Sequence, residues 1–378
     1  RVEQAGIQNL ESDGDFDIND SVTIQIQNPQ TPVSSVLDLP TIDGNHMARV
    51  FDVNGASSVT FDGIRVINGD SFVSDGTEGG AMYIADNVNL IRIKNSVIEN
   101  NTALRGAAIY TQASTLIIDE SDISLNYSST NGGGAANGVA IMQVSGDVYL
   151  FRSSVHNNYR DDSGVGCIYA IDNHQSAGNT VLMNSNVSVN GKINSGQCVG
   201  GVRLWNGSAV FNNVTVYHNN GAGIHYYDDP NVAGEHEVKM RHTVLENKLN
   251  NCNFPLGLVD SGDANAGHNV SADNSCAFLE TVDNGNINGV DLKLHPGRSD
   301  SGDGEYFWFH EPMTDSPVID NGSLLASNEL DEDACSPTDQ IGAPRNVDGN
   351  YDGLFVCDSG AIEYNGDLIF YAGADPKY

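Results

Sequence analysis

Basic residues are scarce in this 378-residue chain: 17 Lys and Arg stand against 50 Asp and Glu, a formal net charge of −33. A surface so acidic repels phosphate, which argues against nucleic-acid partners and against docking on anionic lipid. Proline is sparse as well, 11 residues against 41 glycines, so the chain is turn-rich without being collagen or a Pro-rich linker. No apolar run reaches the length of a membrane span, so direct membrane insertion is not expected. No charged-then-apolar leader opens the chain at Arg1. Gly-x-Ser-x-Gly, His-Glu-x-x-His and a phosphate-binding loop are all missing. With 39 % hydrophobic and only 18 % charged residues, the chain is nevertheless not a disordered polyanion.

What the chain does have is a repeat. Segments starting at Val59, Ile91, Leu116, Val148, Thr180, Ala209 and Val238 align at steps of 25 to 32 residues. The third column reads Phe61, Ile93, Ile118, Leu150, Leu182, Phe211, Met240; the eighth reads Val66, Ile98, Ile123, Val155, Val187, Val216, Leu245. Apolar and polar residues alternate locally, the period of a half-buried strand. Gly-led second strands precede most copies, among them GAAIYTQ, GCIYAID and GGVRLWN. One repeat cannot bury its inner face alone, but stacked repeats share a continuous core. Ser96, Ser121, Ser153 and Ser185 fall in one column, and Asn101, Asn126, Asn158, Asn190 and Asn219 in another, as side-chain ladders do at the turns of a solenoid. The pattern predicts an all-β, right-handed parallel β-helix (solenoid) with capped ends.

Three parts are expected: entry strands and a cap over 1–48, about seven coils over 49–250, and a loop-rich, disulfide-pinned cap region over 251–378. The six cysteines, Cys167, Cys198, Cys252, Cys276, Cys335 and Cys357, contain no CxxC, and their wide pairwise spacing suits loop-closing disulfides. Chain-order pairing is the expectation, out of about 15 connectivities that six cysteines allow. Disulfides imply an extracellular setting, with reduced thiols as the alternative. The apolar run Tyr306, Phe307, Trp308, Phe309 is expected to plug an open end, because bare strand edges recruit other chains.

The segment SPVIDNG (316–322), Cys335 and DQIGAPRNVDGNYDGLFVCDSGAIEY (339–364) resemble the C-terminal signature of choice-of-anchor Q domain proteins. The stretch NNC…GHNVSADNSCAF (250–278) is similar to their disulfide loop, and the repeats are similar to those of polymorphic outer-membrane proteins. That resemblance covers most of the chain. It implies a secreted β-helix of the bacterial cell surface and no defined reaction.

Candidate chemistry is thin. Asp348, Asn350, Asp352 and Gly353 fit D-x-[DN]-x-[DN]-G, the opening of a calcium loop, and Asp358 stands in for the distal ligand. The expectation is a structural Ca²⁺, against an Asp/Gly-rich turn that binds nothing. A poorer match is Asp13, Asp15 and Asp17, which no glycine follows. Arg92-Ile93-Lys94 is similar to the Arg-Ile-Lys of polygalacturonases, but an amphipathic strand reads the same way. His218, His225, His236 and His242 are close in sequence, yet alternate strands would point them in different directions, which argues against a shared metal and for solvated turn residues. If columns one and three face inward, Ile117, Tyr149, Phe151, Val181, Met183 and Val210 form an outward apolar stripe. Either a protein–protein contact or the chain's own loops would cover it. On the Gly-led strands Trp205, Tyr227 and Tyr110 are expected in one outward column, near Arg203, His225 and Asp228, an arrangement able to stack on sugar rings. Taken together, the expectation is a non-catalytic extracellular rod used for adhesion, or for assembly with itself or another surface protein. The alternative is a polysaccharide lyase, a glycoside hydrolase or a carbohydrate-binding β-helix.

Overall fold

The columns of the repeat become parallel strands. In the computed structural model, which describes residues 8–9, 14–25, 39–73, 76–129, 137–160, 167–174, 178–191, 198–227, 237–254, 267–278, 280, 284–299, 308–323 and 334–365, strands Ser58–Asp62, Leu90–Lys94, Thr115–Asp119 and Asp147–Phe151 bury alternate residues. Val59, Ile91, Leu116 and Val148 pair in register, as do Phe61, Ile93, Ile118 and Leu150. The fifth residue of each copy then turns the chain. Gly63, Asn95, Glu120, Arg152, Asn184, Asn213 and His242 all hold a left-handed backbone, with φ between 44° and 69°. This conformation is cheap for Gly and tolerable for Asn, and the stack imposes it on the others. After the bend come Arg65–Ile67, Val97–Glu99, Asp122–Ser124 and Ser154–His156, whose Val66, Ile98, Ile123 and Val155 again stack inward.

Bent strand pairs of this kind form a 17-stranded sheet. A nine-stranded parallel sheet opposes it, running from Phe16–Ile18 through Ile109–Thr111, Ile168–Asn173, Val199–Trp205 and Ile224–Tyr227 to Cys252–Asn253, and a short three-stranded sheet closes part of the wall. The fold is an all-β, right-handed parallel β-helix. Between the sheets lies one apolar core that includes Phe51, Phe61, Ile93, Leu150, Val202 and Phe211. Pairing reaches back to Gln8–Asn9 and on to Ile287–Asn288, so the stack extends past 49–250 at both ends.

Both polar ladders hold the corners. Each serine hydroxyl accepts the backbone N–H of the serine one coil before it, Ser96 to Ser121 and Ser121 to Ser153 at 3.2 Å and Ser153 to Ser185 at 3.3 Å. Each asparagine carbonyl accepts both the backbone and side-chain N–H of its predecessor, through Asn101, Asn126, Asn158, Asn190, Asn219 and finally Asn247. These bonds satisfy turn donors that water cannot reach, each of which would otherwise cost about 1–3 kcal/mol. Disulfides Cys167–Cys198, Cys252–Cys276 and Cys335–Cys357 follow chain order.

Trp308 and Phe309 do not plug the end; they lie against the strand Ser154–His156. Trp308 stacks on His156, with ring centroids 5.0 Å apart, and its carbonyl accepts from the Ser154 hydroxyl at 2.6 Å. His310 packs on Tyr217, Ala361 N–H donates to the Thr215 hydroxyl, and Asn212 donates to the Ala334 carbonyl. Residues 308–323 and 334–365 therefore lie along the flank of the large sheet. The reason is chemical: the outward residues of these coils are Ser154, Asn186, Thr215 and Asn213, small polar groups that offer hydrogen bonds to a covering backbone. Tyr306 and Phe307 lie outside the described residues. Arg345, wholly buried, ties this layer down. It donates to the carbonyls of Gly360 and Thr338, to Asn184 at 3.1 Å, and sits 3.4 Å from Glu363.

Candidate functional site

Chemistry-bearing side chains gather on the outer face of the nine-stranded sheet. One outward column runs, one residue per coil, through Asp52, Tyr83, Tyr110, Met142, Asp172, Arg203 and His225 to Asn253. Tyr110 thus belongs to the column of Arg203 and His225, not to that of Trp205 and Tyr227, and it is buried in a stack with Tyr83 at 5.4 Å. The expected single column fails because strand Ile109–Thr111 pairs two residues out of step with that alignment.

Arg203 is the hub. Its Nε donates to Asp172 at 2.8 Å, and a second nitrogen bonds the other Asp172 oxygen. The same guanidinium donates to Asn137 at 3.1 Å and to Nδ1 of His174 at 3.2 Å. It lies over the rings of Tyr169 at 5.5 Å and Trp205 at 5.7 Å. Asp172 is fully buried, so this cation is matched by a carboxylate that no solvent reaches. The Tyr169 hydroxyl spans two coils to reach Nδ1 of His225 at 2.7 Å. Glycine at 200 permits the crossing, because a Cβ there would lie 2.4 Å from the Tyr169 ring. Burial pushes the Tyr169 hydroxyl up to about 12, the nearby Arg203 opposing. Burial also lowers His174 and, with help from Arg203, His225, so both imidazoles are neutral near pH 7.

Beside this hub the rings of His174, Trp205 and Tyr227 follow one another on three consecutive coils. Centroids are 5.0 Å apart for the first pair and 4.2 Å for the second. Tyr227 is 42 % exposed, while Trp205 and His174 are half-buried. Trp205 and Tyr227 therefore meet as expected, with Arg203 and His225 adjacent; Asp228 lies outside the described residues. Asp172, Tyr169 and His174 were not singled out by sequence reasoning. The available signal for Tyr169 was Gly200, its in-register partner on the next coil, which has no side chain to block the ring.

Other expected sites stand differently. Asp348 and Asn350 accept the N–H of Asp352, Asp348 also that of Gly353, and Asp352 that of Leu354, so these oxygens already close their own exposed turn. Asp358 is buried and accepts the N–H groups of Asp320 and Tyr364. Of the second acidic candidate, Asp13 lies outside the described residues and Asp15 faces Arg49 at 3.7 Å. Along the apolar stripe Ile117, Tyr149, Phe151 and Val210 are half-buried, and Val181 and Met183 are buried. His218 is paired with Glu246, and His236 lies outside the described residues.

Among the described residues, one group draws three potential metal-ligand atoms together: His242, Cys335 and Cys357. Its sulfurs are bonded to each other, which removes the thiolate charge that a soft metal requires. Both imidazole nitrogens are taken, Nδ1 by Asn212 at 2.8 Å and Nε2 by Ser323 at 2.9 Å. Burial, with His268 and Arg345 beside it, holds His242 well below the usual histidine range. The group is a buried structural knot of the flank layer. In comparisons with known proteins, no family, no curated sequence and no solved structure matches this chain.

Proposed function

We propose that the protein is a carbohydrate-binding β-helix, a rigid extracellular rod that presents the outer face of its nine-stranded sheet to a glycan. One observation carries the reading: His174, Trp205 and Tyr227 form a stepped aromatic platform bordered by the hydrogen-bonding groups of Arg203 and His225. Such a platform offers apolar ring faces to sugar C–H groups, with polar tips for their hydroxyls. Extracellular placement is supported by the disulfides and by the resemblance of 316–364 to the surface-anchored choice-of-anchor Q proteins.

The proposal is for binding without catalysis. Asp172, the carboxylate of this cluster, is fully buried and has both oxygens held by Arg203, so it is available neither as nucleophile nor as general acid. Affinity electrophoresis through gels cast with a panel of soluble polysaccharides tests the reading. The chain should be retarded by at least one glycan, and Trp205→Ala should migrate freely. Equal migration of both proteins in every gel would defeat it.

A second reading, self-association or contact with another surface protein, rests on a different place. Tyr351, Leu354 and Phe355 are 76 %, 63 % and 64 % exposed on one loop, an apolar tip that water disfavours. Light scattering of Phe355→Ser against the unaltered chain tests it, with loss of a concentration-dependent oligomer as the expected outcome. A strict monomer at all concentrations would reject that reading.

The expected apolar stripe supports this second reading less, since none of its six residues is fully exposed.

A further inference from the structure

Resting on the carbohydrate-binding reading, the geometry points to the substrate class. We infer that the platform takes an uncharged polysaccharide, laid along the helix axis across His174, Trp205 and Tyr227, and discriminates against uronate and sulfated chains.

Direction follows from the stacking. Trp205 and Tyr227 pair in register on adjacent strands, and His174 adjoins Trp205 from the coil before. Coils of a parallel β-helix repeat at about 4.8 Å, so the three rings climb about 10 Å along the axis. Successive rings are tilted by 61° and 44°, which presents stepped faces instead of one flat plate. A glycan crossing the strands meets one ring per coil. A glycan lying along a strand would meet only one ring, because the next outward residue on the same strand is polar: Asp172, Arg203 or His225.

Class follows from charge. A bound uronate needs a cation whose charge is not already matched. Arg203 is engaged bidentately by the buried Asp172 and further by Asn137 and His174. Both histidines of the face lose protons more readily than usual, so they add no positive charge at neutral pH. The chain's net charge of −33 repels a polyanion from a distance as well. What the face offers instead is ring surface and donors that suit hydroxyls. These are the remaining Arg203 N–H groups, the His225 ring and the exposed Asn253 beside it.

Isothermal titration of the full chain separates the possible results. The probes are neutral β-1,4-linked hexasaccharides (cellohexaose, mannohexaose, xylohexaose) and hexagalacturonate, with the corresponding disaccharides. At least one neutral hexasaccharide should bind saturably and more tightly than its disaccharide, and hexagalacturonate should not bind. Tyr227→Ala and Trp205→Ala should each weaken the neutral ligand about tenfold or more, and Trp205→Phe, which keeps a ring, should lose less. Binding of hexagalacturonate alone would overturn the inference and leave the glycan reading standing. Failure of every probe, neutral and acidic, together with no retardation in any polysaccharide gel, would overturn both. A neutral disaccharide binding as tightly as its hexasaccharide would overturn the axial placement.

Discussion

Two outer faces of one solenoid are built from opposite materials. On the flank of the large sheet the outward residues are small and polar (Ser154, Asn186, Thr215), and they are buried because the chain's own residues 308–323 and 334–365 lie over them. On the nine-stranded sheet the outward residues include large aromatics (Tyr83, Tyr110, Trp205, Tyr227), which stack in pairs up the coils, with charged residues such as Asp172 and Arg203 paired between them. Small polar side chains cannot cover a sheet, so they need a partner backbone. Aromatic ladders cover their own sheet and leave ring faces for something else. The first face is therefore consumed in folding, and the second is where binding is expected.

The largest effect should come from breaking the covered face. Arg345→Met removes the buried donor that joins Asn184 of the solenoid to Gly360 and Thr338 of the flank layer, leaving several buried acceptors unpartnered. A loss of about 3–5 kcal/mol in denaturant unfolding is expected, at about 1–3 kcal/mol for each acceptor left unpartnered, with glycan affinity unchanged. Alkali acts on the same knot. Burial pushes the carboxyls of Asp358 and Glu363 well above the usual carboxylate range, and the neighbouring carboxylates raise them further. The folded chain thus keeps protons that the unfolded chain releases, and stability falls as pH rises above the ordinary carboxylate range toward those raised values. Above the range where the buried histidines titrate, melting temperature should decline from pH 7 to pH 9.5, and Glu363→Gln should flatten the decline. A curve of the same slope in the variant would assign it to other groups.

Asn158→Ala touches the corner shared by both faces. It leaves the Asn126 backbone N–H without its acceptor and should cost about 1–3 kcal/mol by thermal unfolding. Tyr227→Ala on the open face should cost under about 1 kcal/mol of stability, since the ring is half-exposed and loses mainly its contact with Trp205. Smallest of all is the response of loop 348–353 to chelator. Its oxygens accept the loop's own N–H groups, which hold the turn without an ion, so the melting curve should barely move; a calcium-dependent rise would mark a bound ion.

The coils were readable because each column repeats. Phe61, Ile93 and Ile118 mark the core, and the serine and asparagine columns mark the corners, each judged against its neighbours a coil away. The flank layer has no such repetition. Arg345 meets Asn184 across 161 residues, and nothing local to either announces the contact. Cues for covering existed in the outward Ser154, Asn186 and Thr215, but they read equally well as exposed strand residues. At the candidate site Trp205 and Tyr227 were legible as outward aromatics. Tyr169 was not, because its reach to His225 depends on an absent side chain at Gly200 on the coil between.

The two faces can be interrogated in one experiment, because the chain has 2 tryptophans and they lie on opposite ones. Indole N–H resonances of Trp205 and Trp308, assigned by single Trp→Phe variants, would be followed while a neutral hexasaccharide is titrated in. The Trp205 signal should shift saturably and that of Trp308 should stay in place. Saturable binding that moves Trp308, or neither resonance, would contradict the assignment of the open face as the binding surface.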